Sequence, residues 1–100
     1  MGVFASKQSW EEFSYGFNFT ADLNSEEEIS SADVKAYDDE TGEDATSSLI
    51  DSDKQVIEDQ NVYIRVKGGV SGKVYKITCQ ATGANGSKPE LDGFIKIVDI

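Results

Sequence analysis

Histidine is missing from this 100-residue chain and cysteine occurs once, which removes the imidazole ligands of most zinc sites and any intrachain disulfide. Without imidazole a serine or cysteine nucleophile has no ordinary general base, and no serine sits at a sharp strand-to-helix turn. No apolar run approaches the roughly 18 residues that would cross a bilayer. The amino terminus shows neither a basic region followed by an apolar stretch nor a lipidation signal, so the chain is expected to be made as a soluble cytoplasmic protein. Bases are scarce in residues 1–50, with 2 against 12 acids, whereas residues 51–100 hold 7 of each. The whole net charge of −10 thus lies in the first half. Such a surface repels phosphate backbones and anionic lipid, so neither a nucleic-acid nor a membrane partner is expected.

What is present suits a small β domain. Five Phe, four Tyr and one Trp give large buried areas within a 38% hydrophobic composition. A chain of this length buries about 60–70% of its unfolded surface, enough for one core. Residues 1–12 lack clear periodicity; Ser9-Trp-Glu-Glu12 has the letters of a capping box, but no helical repeat follows it. An irregular arm is expected there, with one sandwich domain over residues 13–100.

From residue 13 onward the period is two. Phe13, Tyr15, Phe17 and Phe19 alternate with Ser14, Gly16, Asn18 and Thr20, and a second strand is expected from Ile29 to Tyr37. Asp38-Asp-Glu-Thr-Gly-Glu-Asp44 breaks the pattern; Ala45 to Ile50 reads as a short strand, Asp51 to Lys54 as a turn, and Val56-Ile57 as a further short strand. Val62, Ile64 and Val66 then share a face opposite Tyr63, Arg65 and Lys67, while Tyr75, Ile77 and Cys79 share a face beyond the corner Gly68-Gly-Val-Ser-Gly72. These two runs are expected to form an antiparallel pair. Asn85-Gly86 has the residues of a type I′ hairpin turn, and the last strand is expected from Glu90 to Val98; it and the first strand, Phe13 to Phe19, are expected near sheet edges, where exposed ladder groups invite pairing with another chain. About seven short strands and no sustained helical period predict an all-β, antiparallel sandwich.

Candidate chemistry is sparse, and no cofactor or catalytic residue is expected. Asp38, Asp39, Glu40, Glu43 and Asp44 could hold calcium weakly or form a solvated loop, since they lack the spacing of an EF-hand. Glu26-Glu-Glu28 reads as a solvated run. Cys79, in phase with Tyr75 and Ile77, is either a buried apolar side chain or a reactive thiol. Trp10 in the arm and Phe94 on the second face of the last strand are interface candidates.

The run Gly72-Lys-Val-Tyr-Lys-Ile77 resembles the strand that carries the tyrosine corner of immunoglobulin-like sandwiches. Three blocks extend the likeness. Tyr15-Gly-Phe-Asn-Phe-Thr-Ala-Asp-Leu23 followed by Ile29-Ser-Ser-Ala32, the Val62 to Thr78 segment with its Lys-Gly-Gly-Val-Ser-Gly-Lys-Val-Tyr-Lys-Ile run, and Ala84-Asn-Gly-Ser87 resemble, in order, a group of small tailed-phage and prophage proteins described as fibre-tail adaptors. The chain departs from that group at Asp33-Val34, where an aromatic is common, and at Asn18-Phe19, where Asp-Trp is frequent. The resemblance implies an immunoglobulin-like fold and a virion structural or adaptor protein at a head-tail or tail-fibre junction. It would be made in the bacterial host cytoplasm and carried in the virion, with other virion proteins or further copies of itself as partners. The alternative reading is an immunoglobulin-like module that binds carbohydrate or calcium.

Overall fold

Alternation sorts the side chains of each strand into an inward and an outward row, and two sheets meet over the inward rows. The computed structural model describes the backbone of residues 3–99 and the side chains of residues 5–99. Its elements are β1 (Val3–Lys7), β2 (Phe13–Asn18), β3 (Ile29–Asp38), α1 (Thr46–Leu49), β4 (Ile50–Glu58), β5 (Asn61–Val66), β6 (Val74–Gly83) and β7 (Glu90–Ile97). One sheet has the order β1-β7-β6-β3 and the other β2-β5-β4. The result is an immunoglobulin-like sandwich of seven strands, antiparallel at every pairing except β1 with β7, which run parallel.

Phe17, Val62, Ile64 and Val66 face Val34, Ile77, Cys79 and Ile95 across the layer, all nearly or wholly removed from solvent. Burying each aliphatic or aromatic side chain of this kind contributes about 1.5–3 kcal/mol. Tyr15 meets Phe17 edge to face, with ring centroids 5.2 Å apart at 61°, the arrangement that the ring quadrupoles favour.

The structure corrects several expectations. The arm is not irregular, because residues 3–7 form β1 and pair in parallel with Gly93–Ile97. This places β7 inside its sheet rather than near an edge. A five-residue strand stabilised by a partner about 90 residues away leaves little periodic signal of its own. Residues 46–49 are a helical turn instead of a strand, and Asp51 to Lys54 continue β4, with a register break between Asp51 and Val56. The two runs around Gly68–Gly72 do not pair, since β5 and β6 belong to opposite sheets.

Glycine makes that crossing possible. Gly68 and Gly69 have φ of +58° and +99°, and a Cβ on Gly68 would stand 2.7 Å from the Ser48 carbonyl oxygen. The corner is then tied to the strand that follows it: the Tyr75 hydroxyl accepts the Val70 N–H at 3.0 Å. This is the tyrosine-corner bond that the sequence resemblance implies. The β6–β7 connection is a hairpin, but its turn is not type I′. Among Ala84, Asn85 and Gly86 only Gly86 has positive φ, at +93°, and its N–H bonds the Gly83 carbonyl at 3.0 Å.

Candidate interaction surface

One end of the sandwich gathers three chain segments around a buried ammonium. Alternation turns Lys7 inward at the last position of β1, and only 2% of the residue is exposed. Its Nζ donates to the carbonyl oxygens of Gln8 at 2.7 Å, Ser9 at 3.1 Å and Gly68 at 2.5 Å, which satisfies all three donors. Burial lowers its pKa from the ordinary lysine value, partly offset by Glu11, Asp99 and Glu12. The same residue's carbonyl accepts the Val98 N–H at 2.8 Å. Beside it the Asp99 carboxylate takes the Ser9 N–H at 2.8 Å and the Ser9 hydroxyl at 2.9 Å, and these bonds hold its pKa below the usual carboxylate range.

This scaffold presents apolar side chains to solvent. Trp10 is 92% exposed, and Val70 and Val98 are exposed on the neighbouring segments. An open concavity of about 640 Å³ runs from Ser9 and Trp10 past Glu12 to Arg65, Lys67 and Gly68. Glu12 and Arg65 pair loosely along it at 3.9 Å. Phe94 lies elsewhere: it is half-buried on the outer face of the four-stranded sheet, in register with Lys76 of β6. The two interface candidates therefore occupy separate surfaces.

Two carboxylates that the sequence placed in solvated runs turn inward. Glu27 is 2% exposed and receives the Asn24 amide group at 3.1 Å, the Asn85 N–H at 2.8 Å and the Ser87 hydroxyl at 2.8 Å. Burial alone would raise its pKa; the hydrogen bonds from Ser87, Asn85 and Asn24 outweigh it and hold the carboxyl below its ordinary value. It fastens the β2–β3 loop to the β6–β7 hairpin at the end opposite Lys7. Asp38, also buried, pairs with Lys73 at 2.5 Å and accepts the Glu40 N–H at 2.9 Å. The Lys73 bond chiefly lowers its pKa, against the effect of burial.

The acidic loop therefore does not converge on a cation. Asp38 is turned to Lys73 and Asp44 to the Thr46 N–H at 2.8 Å, and Asp39, Glu40 and Glu43 are exposed. Among the described residues no group of three carboxylates, thiols or imidazoles is placed to hold a metal ion. Cys79 is fully buried, and burial pushes its thiol up to about 12, helped by Asp33. Of the two readings of this residue, the structure supports the packed apolar side chain. A groove of about 410 Å³ between Ser31, Asp33, Gln80, Lys88, Pro89 and Glu90 has no aromatic platform for a sugar. Sequence reasoning missed the burial of Lys7, Glu27 and Asp38. None had a signal, because each is buried against a segment remote in sequence.

The family model described as podophage GP4 fiber-tail adaptor protein gp77 matches residues 7–95. No curated protein matches the chain. The chain belongs to that adaptor family, which is a structural one, and its role is accordingly that of a phage virion component.

Proposed function

We propose that this member of the fiber-tail adaptor family joins two other virion proteins at a head-tail or tail-fibre junction, without catalysis, using the end around Lys7 as one contact surface. The observation that carries the reading is Trp10: a side chain 92% exposed on a loop held by the Lys7 ammonium and the Asp99–Ser9 bonds. Tryptophan is the residue most enriched at binding hot spots, and a loop already fixed gives up little entropy when a partner covers it. Phe94, on the outer face of the four-stranded sheet, is the candidate for the second contact. An adaptor needs two separate surfaces, and these residues lie on two. The charge of −10 keeps copies soluble in the host cytoplasm until a complementary virion surface receives them.

The test is incorporation into particles produced by inducing a prophage that carries the gene. Wild-type protein is expected in purified particles at fixed stoichiometry by mass spectrometry. Trp10→Ala and Phe94→Glu are each expected to fold, with unchanged far-ultraviolet circular dichroism, yet to be missing from particles. Normal incorporation of both variants would overturn the assignment of the surfaces. Absence of the wild-type protein from particles would overturn the adaptor reading itself.

A further inference from the structure

Four strands end the two sheets, and they are not equally protected. The edge of β3 is occupied: the Ala45 N–H bonds the Ala36 carbonyl at 2.8 Å, the Thr46 hydroxyl accepts the Ala36 N–H at 3.0 Å, and the Gln55 amide reaches the Ala32 carbonyl at 3.2 Å. On β4 the edge is broken by its register shift and carries Asp51, Asp53, Lys54 and Glu58. Among the described residues β1 is five long and ends in Lys7. By contrast, β2 has no charge, no proline and no break across its six pairs with β5. Edges left free in solution are normally blunted by such devices, and β2 has none of them.

The ladder shows which groups it offers. The Phe19 N–H donates to the Gln60 carbonyl at 2.9 Å. Because bonded and non-bonded pairs alternate in an antiparallel ladder, Phe17 with Val62, Tyr15 with Ile64 and Phe13 with Val66 are the bonded pairs. The N–H and C=O groups of Ser14, Gly16 and Asn18 therefore point away from β5, toward the open side.

We propose that β2 pairs with β2 of a second copy of this chain, antiparallel about a twofold axis at Gly16. The register is self-complementary: Gly16 meets the partner's Gly16 and Ser14 meets the partner's Asn18, so each residue with outward backbone groups finds another with the same. No Cβ stands at the axis. The space above Gly16 is filled from its own chain by Tyr63, whose ring atoms lie 3.0 Å from where that Cβ would be.

Charge selects the antiparallel arrangement. The acids Asp22, Glu26 and Glu28 cluster beyond the carboxyl end of β2, whereas the two acids before its amino end, Glu11 and Glu12, are matched in number by Arg65, which pairs with Glu12, and Lys67. Antiparallel pairing sets the acidic end of each copy beside the balanced end of the other, while parallel pairing would set acids against acids. The protected β4 edge stops growth at two copies instead of a filament.

Sedimentation equilibrium on the full chain from about 1 μM to 1 mM is expected to show a mass that rises from one chain toward two, with slower amide exchange at Ser14, Gly16 and Asn18 as concentration increases. Ser14→Pro removes an outward N–H without touching a β2–β5 bond, and Ser14→Lys combined with Asn18→Lys sets lysine against lysine twice at the seam. Ser14→Pro is expected to keep the monomer's melting temperature, the double-lysine variant to lower it slightly through loss of the Thr20 N–H bond to Asn18 Oδ1, and both to raise the dimer midpoint at least about tenfold. The proposal is overturned by a wild-type chain that stays monomeric throughout, or by a dimer with the same midpoint in both variants. β2 amides protected only after particles are added would assign the edge to a different virion protein and equally overturn pairing with a second copy.

Discussion

Replacing Gly69 with alanine isolates the contact on which the sheet-to-sheet corner depends. A Cβ there would lie 2.6 Å from Ile97 Cδ1 and 2.7 Å from Ile97 Cγ1, at a φ of +99°. Gly72, in the same corner at φ +90°, has nothing within 4 Å of the point where a Cβ would stand. Both substitutions incur the left-handed backbone penalty of about 1–2 kcal/mol. Only Gly69→Ala adds overpacking of a closed core, another 1–3 kcal/mol or so. The expected losses are therefore about 1–2 kcal/mol for Gly72→Ala and roughly 2–5 kcal/mol for Gly69→Ala, against a total of about 5–15 kcal/mol for a domain of this size. Urea unfolding followed by circular dichroism measures both, and an unchanged m-value assigns the difference to the native state. Ile97→Val, which removes Cδ1, should cost about 0.5–1.5 kcal/mol in the wild type. In the Gly69→Ala background it should cost less than that, because the 2.6 Å contact with Cδ1 is relieved while the 2.7 Å contact with Cγ1 remains. Equal losses at the two glycines, or additivity of Gly69→Ala with Ile97→Val, would refute the packing argument.

Tyr75→Phe deletes the acceptor of the Val70 N–H and is expected to lower stability by about 0.5–1.5 kcal/mol, seen as a lower urea midpoint; an unchanged midpoint would show that the corner bond contributes nothing. The folded-state pKa values of Glu27, Asp38, Asp44 and Asp99 are all depressed, so their stabilisation is complete above the unfolded carboxylate range near pH 4 and is lost as pH falls through the folded values. The melting temperature should hold from about pH 7 to pH 5 and then fall, and Glu27→Gln should be less stable at neutral pH with a shallower acid limb. A variant curve parallel to the wild type would remove Glu27 from that account. Cys79 should resist thiol reagents at pH 8 in the native protein and react at the rate of unfolding in urea, whereas rapid native labelling would contradict its burial.

Much of the fold was legible because period two is a local property. The inward rows of β2, β5, β6 and β7 follow from which residues alternate, and the pattern Gly-Lys-Val-Tyr carried the tyrosine corner to the right strand. The errors fell where stability comes from elsewhere in the chain. β1 exists because β7 offers it a ladder, and β4 is anchored to β5 on both sides of its register break, by Asp51 opposite Arg65 and Val56 opposite Tyr63. The Gly68–Gly72 segment was legible as a turn, but whether it returned the chain to the same sheet or the opposite one was not. That depends on Ser48, Leu49 and Ile97 closing around it.

By itself the sequence determined that the chain is a β protein without disulfide or histidine chemistry, that its acids crowd the first half, and which side chains could form a core. Composition and alternation are written residue by residue and need no partner to be read. Only the tertiary structure decided that Lys7 and Glu27 are buried, that Trp10 stands exposed on a fixed loop, and that β2 is left with an unguarded edge. Burial, hydrogen-bond satisfaction and edge exposure are relations between segments distant along the chain, so they come into being only when the two sheets close.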